Sequence, residues 1–233
     1  VIINIHGGGF VYGSKEIYKR YCMDLARRGF TVVNINYRLA PRWKFPTPME
    51  DINNALLWLI RESRYYHADI RHIFMVGDSA GAQLASQYAA MISNPDYMAL
   101  FGLPRPDPGI RLSAVGLNCG LYDMKMVASE KRQGLELDYL GRKISNDDPR
   151  LDVLSAINVN YPPVHITTAC HDFLRPMAQP MYEHLTAKGI PCQLDTYGSE
   201  DDETIGHVFH INILKPEAVR CNDNQCAFFR SFL

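Results

Sequence analysis

The stretch "IFMVGDSAGAQLA", residues 73–85, joins an apolar run to an alanine-rich run through a turn of small residues. Ile73–Val76 has the apolar composition of a buried strand. Ala80–Ile92 has the length and composition of a helix. Ser79 lies between them with a glycine two residues away on each side, which lets the backbone turn sharply at this point. The stretch therefore predicts a strand, a tight turn and a helix in succession.

Short apolar runs alternate with longer segments of helical period along the rest of the chain. This alternation is typical of the α/β class, in which helices flank a mostly parallel sheet. Loops that follow parallel strands meet at one edge of such a sheet, and ligands bind there. Six strands are predicted: Val1–Ile5, Thr31–Asn36, Ile73–Val76, Ala114–Asn118, Val164–Ala169 and Cys192–Tyr197. Five helices are predicted: Lys15–Arg28, Thr47–Tyr66, Ala80–Ile92, Arg175–Lys188 and Pro216–Phe232.

The composition is that of one globular domain. Of the 233 residues, 47% are hydrophobic and 21% are charged, with 24 Lys and Arg against 25 Asp and Glu. This balance excludes the strong positive field that would attract nucleic acids or anionic membranes. No stretch approaches the roughly 20 apolar residues of a membrane span. We therefore expect a small-molecule partner, no nucleic acid and no membrane span.

The cysteines are spread through apolar surroundings, without the CxxC pairs of a zinc site or the density of a disulfide scaffold. They are Cys22, Cys119, Cys170, Cys192, Cys221 and Cys226. We interpret them as reduced thiols and predict a cytoplasmic protein, because no basic segment followed by an apolar run opens the chain. The chain starts at Val1, and Val1–Ile5 already has the composition of a buried strand. We therefore expect a further segment upstream.

The pentapeptide "GDSAG", residues 77–81, has the G-x-S-x-G pattern of a nucleophile elbow, in the strand–turn–helix context that such an elbow requires. The turn pushes the serine hydroxyl out over the sheet, and only small neighbours avoid the backbone that folds around it. The alternative is a glycine-rich turn with an incidental serine, since so short a pattern also arises by chance. The position between strand and helix favours a nucleophile at Ser79.

A second motif, "HGGGF" at residues 6–10, directly follows the first predicted strand. Three consecutive glycines let the backbone approach a ligand and direct N–H groups towards it, where they could stabilise an oxyanion. A phosphate-binding loop is the competing interpretation. It is disfavoured because neither GxxxxGK[ST] nor GxGxxG is present.

Several further motifs occur in one order over nearly the whole chain. The set is "HGGGF" at 6–10, "NYRLAP" at 36–41, "FP" at 45–46, "ED" at 50–51, "GDSAG" at 77–81, "DFLRP" at 172–176 and "GHVF" at 206–209. In these motifs the chain resembles the hormone-sensitive-lipase-like branch of the α/β-hydrolases, also called bacterial family IV esterases. The resemblance implies an α/β-hydrolase fold and one catalytic domain over residues 1–233. The family's cap and two leading strands are lacking before the HGGG loop, so we expect an N-terminally incomplete domain.

Carried onto this sequence, the resemblance makes Ser79 the nucleophile, Asp172 its acid partner and His207 the general base. They follow the α/β-hydrolase order Ser, Asp, His. Asp172 and His207 each come after a predicted strand, so we expect both at the same sheet edge as Ser79. Backbone N–H groups of three residues are expected to form the oxyanion hole: Gly8, Gly9 and Ala80. The resemblance implies neither a metal nor an organic cofactor.

The residues themselves leave alternatives open for two of these roles. Asp195 or Asp201 could supply the acid, and His210 could supply the base. Asp172 is favoured by the match to "DFLRP" and its place just past a buried strand. His207 is favoured because its "HVF" occupies the place of the family's "HGF".

Other residues near the motifs have structural interpretations. We expect His6 to order its loop and Asp78 to be a polar scaffold residue. The acidic stretch Glu200–Glu203 is interpreted as a solvated loop, with a rim that repels anionic esters as the alternative. Three aromatic residues could line an apolar acyl pocket or belong to the core: Phe10, Tyr12 and Tyr122.

The predicted function is hydrolysis of short-chain, acetyl-type carboxylic esters through a Ser-His-Asp triad and an acyl-enzyme. Deacetylation of acetylated sugars is an alternative on the same triad. A non-catalytic small-molecule-binding module on the same fold is an alternative of a different class. The expected partner is a small ester, and a homodimer is left open.

Overall fold

Six strands form one fully parallel sheet in the computed structural model, which describes residues 1–124 and 134–233. The strands are β1 Ile2–Ile5, β2 Val32–Ile35, β3 Ile73–Asp78, β4 Leu112–Asn118, β5 Val164–Ala169 and β6 Cys192–Tyr197. Their spatial order is β2-β1-β3-β4-β5-β6, and every neighbouring pair is parallel. The α/β class and all six predicted strands are confirmed, with ends that differ by two residues at most.

Helices cover both faces of the sheet. The described helices are α1 Lys19–Arg27, α2 Thr47–Glu62, α3 Ala80–Ser93, α4 Pro95–Ala99, α5 Gly134–Leu140, α6 Val153–Ala156, α7 Ala178–Ala187 and α8 Pro216–Arg230. Short 3-10 helices cover Pro149–Leu151, Arg175–Met177 and Phe209–Ile211. Within the described residues, no helix is both long enough and apolar enough to cross a membrane.

All five predicted helices are present, and two of them begin differently from the prediction. The helix α1 begins four residues later, at Lys19, because Asn34 and Asn36 at the end of β2 hydrogen-bond the backbone of Lys15. The segment predicted from Arg175 starts as a 3-10 turn and becomes α7 at Ala178. The sequence did not predict α4, α5 or α6, whose four to seven residues are too few to show a helical period.

The core lies on both sides of the sheet, because alternate strand residues point to opposite faces. On one face Ile3 and Ile5 pack in the large cluster that includes residues of α2, α3 and α7. On the other face Ile2 and Phe74 pack with residues of α1 and α8. All six residues of the central strand β3 are buried, which explains why its sequence is apolar without alternation.

The parallel arrangement places the loops after β1, β3, β5 and β6 along one edge of the sheet. The loops after β5 and β6 are joined by a parallel bridge between His171 and Gly206. His171 points away from Asp172 and approaches the carbonyls of Ser199 and Glu200. The predicted site residues therefore lie in loops whose positions are fixed by hydrogen-bonded strands.

Candidate active site

The turn at Ser79 holds the serine in a strained backbone conformation. Ser79 has φ 53° and ψ −119°, in a region that residues with a side chain rarely adopt. A Cβ added at Gly77 would lie 2.3 Å from the carbonyl oxygen of Gly81, and one added at Gly81 would lie 2.2 Å from that of Ile5. Both positions therefore require glycine. The sequence pattern G-x-S-x-G is explained by this close approach of three backbone segments.

His207 connects the other two predicted residues. Its Nε2 lies 3.0 Å from Ser79 Oγ, and its Nδ1 lies 2.7 Å from Asp172 Oδ1. Asp172 follows β5 and His207 follows the neighbouring strand β6, which brings together residues 35 positions apart in the chain. Ser79 follows β3 and lies 128 positions from His207. Ser79, His207 and Asp172 thus form one continuous series of hydrogen-bond contacts.

The Asp172 carboxylate is buried but well supplied with hydrogen-bond donors. Thr168 Oγ1 donates to Oδ2 at 3.1 Å, and the Leu174 N–H donates to Oδ1 at 3.0 Å. Burial by itself would raise the pKa of Asp172, but the hydrogen bonds from His207 and Leu174 outweigh it and lower the pKa. The group therefore stays ionised beside His207 and can fix the orientation of the imidazole ring.

The alternative acids and base lie elsewhere. Asp195 contacts His165 Nε2 at 2.9 Å, and Asp201 is exposed. His210 is buried, and neither of its ring nitrogens has a hydrogen-bond partner among the residues that the structure describes. Burial lowers the pKa of His210 to about 3, so this ring is a neutral core residue.

The glycine loop after β1 is shaped by positive φ angles at Gly8 (120°) and Gly9 (56°). The Gly8 carbonyl accepts hydrogen bonds from the N–H groups of Val11 and Tyr12 at 3.0 Å. Within residues 1–124 and 134–233, no acceptor faces the N–H groups of Gly8, Gly9 or Ala80. Ala80 is the first residue of α3, and the first N–H groups of a helix have no acceptor within the helix. These three donors are available to a ligand.

His6 and Asp78 stabilise the conformation of the glycine loop through the contacts that follow. The ring of His6 is buried, donates from Nδ1 to the Gly7 carbonyl at 2.8 Å and stacks on Tyr37 with centroids 4.3 Å apart. Burial lowers the pKa of His6, which keeps the ring neutral. Tyr18 accepts from the Gly7 N–H at 3.1 Å and donates to Asp78 Oδ2 at 2.7 Å. Tyr18 thus links this loop to the serine turn.

A cavity of about 320 Å³ adjoins the serine. Ser79, Ala80, Gly9 and His207 form one side of it, whereas Gly8 does not line it. Most of the remaining wall is aromatic or aliphatic and includes Phe10, Tyr12, Leu121, Leu135, Tyr139 and Phe173. A second cavity of about 350 Å³ lies beside Arg105 and Arg111 and contains none of the predicted site residues.

The sequence left open whether three aromatic residues line the cavity or belong to the core, and the structure assigns each of them. Phe10 and Tyr12 line the cavity, but Tyr122 is a core residue whose hydroxyl donates to the Leu117 carbonyl at 3.2 Å. Sequence reasoning missed the contribution of α5, which supplies Leu135 and Tyr139. The four-residue spacing of these two apolar side chains was the available signal.

Cys119 lies next to the series Ser79–His207–Asp172. Ligand atoms of Cys119, Asp172 and His207 lie within 4.8 Å of one another, close enough to share a metal ion. Two of these atoms already contact each other at 2.7 Å. Burial raises the pKa of the Cys119 thiol, which opposes the thiolate that a metal ligand requires. The trio suits a hydrogen-bonded arrangement better than a metal centre.

The chain matches a family model described as "alpha/beta hydrolase fold" over residues 2–211. It is 28% identical over 200 residues to an ethyl acetate hydrolase of Pseudomonas putida, covering 83% of this chain and 62% of that protein. It is 29% identical over 202 residues to the esterase LipI of Mycobacterium tuberculosis, again covering 83% and 62%. The chain thus spans about three fifths of the length of these two relatives.

Among solved structures, esterase B from Lactobacillus rhamnosis in complex with a tributyrin phosphonate superimposes with a TM-score of 0.89. The two chains are 25% identical, and the match covers 99% of this chain and 75% of the other. The likeness therefore extends over every strand of the sheet and over the loops that carry Ser79, Asp172 and His207.

Proposed function

Because the chain belongs to the α/β-hydrolase fold family, we propose that it is a serine hydrolase that cleaves short-chain carboxylic esters of the acetyl type. The observation that carries this proposal is the contact series from Ser79 through His207 to Asp172. It lies beside a mainly apolar cavity and next to backbone N–H groups for which the described residues offer no acceptor. These are the parts that acyl transfer through a serine needs.

In the first half of the reaction, Ser79 Oγ attacks the ester carbonyl carbon while His207 Nε2 takes the hydroxyl proton. The ring proton of neutral His207 lies on Nδ1, because the ionised Asp172 carboxylate beside Nδ1 can only accept a hydrogen bond. Asp172 then stabilises the imidazolium that forms. The N–H groups of Gly9 and Ala80, with that of Gly8, stabilise the negative charge on the carbonyl oxygen.

The tetrahedral intermediate collapses when the bond to the alcohol oxygen breaks. His207 returns its proton to that oxygen, the alcohol leaves and the acyl group stays on Ser79 as an ester. His207 next takes a proton from water, whose oxygen attacks the acyl carbon. When this second intermediate collapses, the bond from the acyl carbon to Ser79 Oγ breaks and His207 returns its proton to Oγ, which releases the carboxylic acid and restores the Ser79 hydroxyl.

The names of the relatives and the cavity size support a short acyl group. One relative is named for ethyl acetate, and the solved esterase B carries a phosphonate related to tributyrin. A cavity of about 320 Å³ is at the small end of the range for ligand pockets, roughly 300–1,000 Å³. We therefore propose acetyl to butyryl esters rather than long-chain lipids.

The same residues bear on the two alternative functions, a binding module and a sugar deacetylase. A binding module on this fold would not need the three side chains to contact one another, so the contact series counts against it. A deacetylase of acetylated sugars would use the same acyl chemistry, and the predominantly apolar cavity wall favours a less polar alcohol. A panel that includes an acetylated sugar separates these substrates.

The test is hydrolysis of p-nitrophenyl acetate, butyrate and octanoate by the chain and by its Ser79→Ala variant. We expect turnover that falls from butyrate to octanoate and is lost in the variant, a decrease of about 10⁴-fold or more. Circular dichroism should show the same fold for both proteins. A folded chain no faster than Ser79→Ala would overturn the proposal and favour a binding role.

We also propose a cytosolic location. All six cysteines are free thiols and four of them are buried, as in proteins of a reducing compartment. Cell fractionation with antibody detection tests the location directly. Recovery of the protein only with the envelope or the medium would contradict it.

A further inference from the structure

One acidic residue is among the mainly aromatic and aliphatic residues that line the cavity beside Ser79. Glu136 projects from α5 and is only partly buried. No cation of the described chain pairs with it within 4 Å. Apart from His207, every other described residue of the wall is uncharged. A substrate in this cavity is therefore exposed to one negative charge that nothing in the described wall neutralises.

Aromatic rings in the same wall have faces open to a ligand. Tyr12 is 65% exposed and Phe173 is 72% exposed, although both line the cavity. The ring of Phe173 lies beside that of His207, with centroids 4.2 Å apart, so this largely exposed ring is close to the reacting atoms. The negative faces of aromatic rings attract cations, quaternary ammonium groups above all.

The other charges around the site do not offset Glu136. Glu200, at the start of the acidic stretch, pairs with Arg175 at 2.8 Å and does not line the cavity. Lys44 donates to the Asp138 carbonyl at 2.8 Å, near the end of α5, and is also outside the cavity wall. Asp172, which contacts the cavity residue His207 at 2.7 Å, is ionised and adds a further negative charge behind the site. The charges of the described residues around the cavity therefore favour positive charge on the ligand.

We propose that this cavity selects esters that carry a positive charge, such as esters of quaternary amino alcohols, and that Glu136 determines this preference. The inference rests on the proposed ester hydrolysis and concerns its substrate class. The ester bond is cleaved as for any ester, and the cation takes no part in the covalent steps. Glu136 and the open faces of Tyr12 and Phe173 bind the charged group while Ser79 attacks the carbonyl.

The test uses two esters that differ in charge and hardly in shape. Acetylcholine and 3,3-dimethylbutyl acetate are isosteric, with a quaternary nitrogen in one and a quaternary carbon in the other. The ratio of their kcat/KM values isolates the effect of the charge. We expect a ratio above one for the unaltered chain, and a smaller ratio at 0.5 M salt because salt screens charges near solvent.

Two variants test whether Glu136 causes the preference for the charged ester. In Glu136→Gln the ratio should fall by roughly three- to tenfold, the range expected for a partly solvated ion pair. Asp138→Asn removes a charge two residues away on the same helix, outside the cavity wall, and should leave the ratio unchanged. An equal fall in both variants would show an effect of net charge alone and overturn the assignment to Glu136.

Failure of the inference differs from failure of the proposed function. If both esters are hydrolysed at equal rates, or Glu136→Gln keeps the ratio, the charge preference is wrong and ester hydrolysis stands. If neither ester nor p-nitrophenyl acetate is hydrolysed, the proposed reaction is wrong. Calorimetric binding of the two esters to the unaltered chain then decides the preference: tighter binding of acetylcholine supports it, and equal binding overturns it.

Discussion

Two neighbouring glycines of the loop after β1 are restricted for different reasons. Gly8 has φ 120°, and a Cβ added there would lie 2.1 Å from the carbonyl oxygen of Tyr12. Gly9 has φ 56°, and its added Cβ would lie 2.6 Å from Leu135 Cδ1. A carbonyl oxygen belongs to the backbone and moves only with the loop, whereas a leucine methyl can rotate away. The loop should therefore tolerate a side chain at Gly9 better than at Gly8.

We expect Gly8→Ala to lower kcat by about 100-fold or more, because it displaces the N–H donors of the loop. Gly9→Ala should lower kcat by less than about tenfold, the cost of a left-handed alanine and a rotated leucine. Steady-state kinetics with p-nitrophenyl butyrate measure both. Equal losses in the two variants would show that backbone conformation, and not the contact with Tyr12, limits the loop.

The strand–turn–helix unit around Ser79 depends on how closely α3 approaches β1. A Cβ added at Gly81 would lie 2.2 Å from the Ile5 carbonyl oxygen and 2.6 Å from that of His6. Gly102 provides a matched control, because it has φ 63° but no atom of the described part of the chain lies within 4 Å of an added Cβ. The first position is restricted by packing between two elements, and the second by backbone conformation alone.

Gly81→Ala should therefore reduce the free energy of unfolding by about 3 kcal/mol or more, since α3 must move away from the sheet. Gly102→Ala should cost only about 1 kcal/mol. Urea unfolding followed by circular dichroism measures both values. A loss in Gly81→Ala no greater than that in Gly102→Ala would mean that the helix can shift at little cost.

The strands and long helices were predictable because their patterns are local. The apolar run before Ser79 and the fourteen residues of α3 are each long enough to show the pattern of their element. The seven-residue α5 carries too little, and its position depends on a distant contact, that of Leu135 with Gly9. For the part of the cavity wall that includes Glu136, the sequence therefore offered only the four-residue spacing of Leu135 and Tyr139, which is too little to define a helix.

The candidate site was predictable through its motifs more than through its residue types. Asp172 and Asp195 are both aspartates in or just after neighbouring strands, and the residues by themselves left either as the acid. Pairing decides between them: Asp195 contacts His165, and Asp172 contacts His207. Such pairings join residues 30 and 35 positions apart and depend on strand register, which the sequence alone does not specify.

At the scale of the whole molecule, three carboxylates make the free energy of unfolding depend on pH, and one of them acts in the opposite direction to the other two. The pKa of Asp195, lowered mainly by its hydrogen bond to His165, and that of Asp172 lie below their usual range. These two groups stabilise the fold above about pH 4, and their contribution is lost as the pH falls further. Burial raises the pKa of Asp78 to about 7, despite the hydrogen bond from Tyr18.

Asp78 therefore acts in the opposite direction. In the unfolded chain an aspartate ionises near pH 4, whereas the folded chain retains the Asp78 proton up to about pH 7. Its contribution is fully present below about pH 4 and is lost as the pH rises to about 7, a change of about 4 kcal/mol. Together the three groups predict greatest stability near pH 4, where Asp172 and Asp195 are ionised in the folded chain and Asp78 is still protonated.

Replacement of Asp78 by asparagine should remove the alkaline part of this dependence. The amide keeps an acceptor for Tyr18 but does not ionise, so any constant cost of the substitution cancels when two pH values are compared. Between pH 5 and pH 8 the free energy of unfolding should fall by about 2–3 kcal/mol less in Asp78→Asn than in the unaltered chain. Urea unfolding at the two pH values measures this difference, with the exposed Asp201→Asn as a control. Parallel pH profiles for all three proteins would mean that Asp78 is already ionised at pH 5, and the link between the glycine loop and the serine turn would then involve a charged carboxylate.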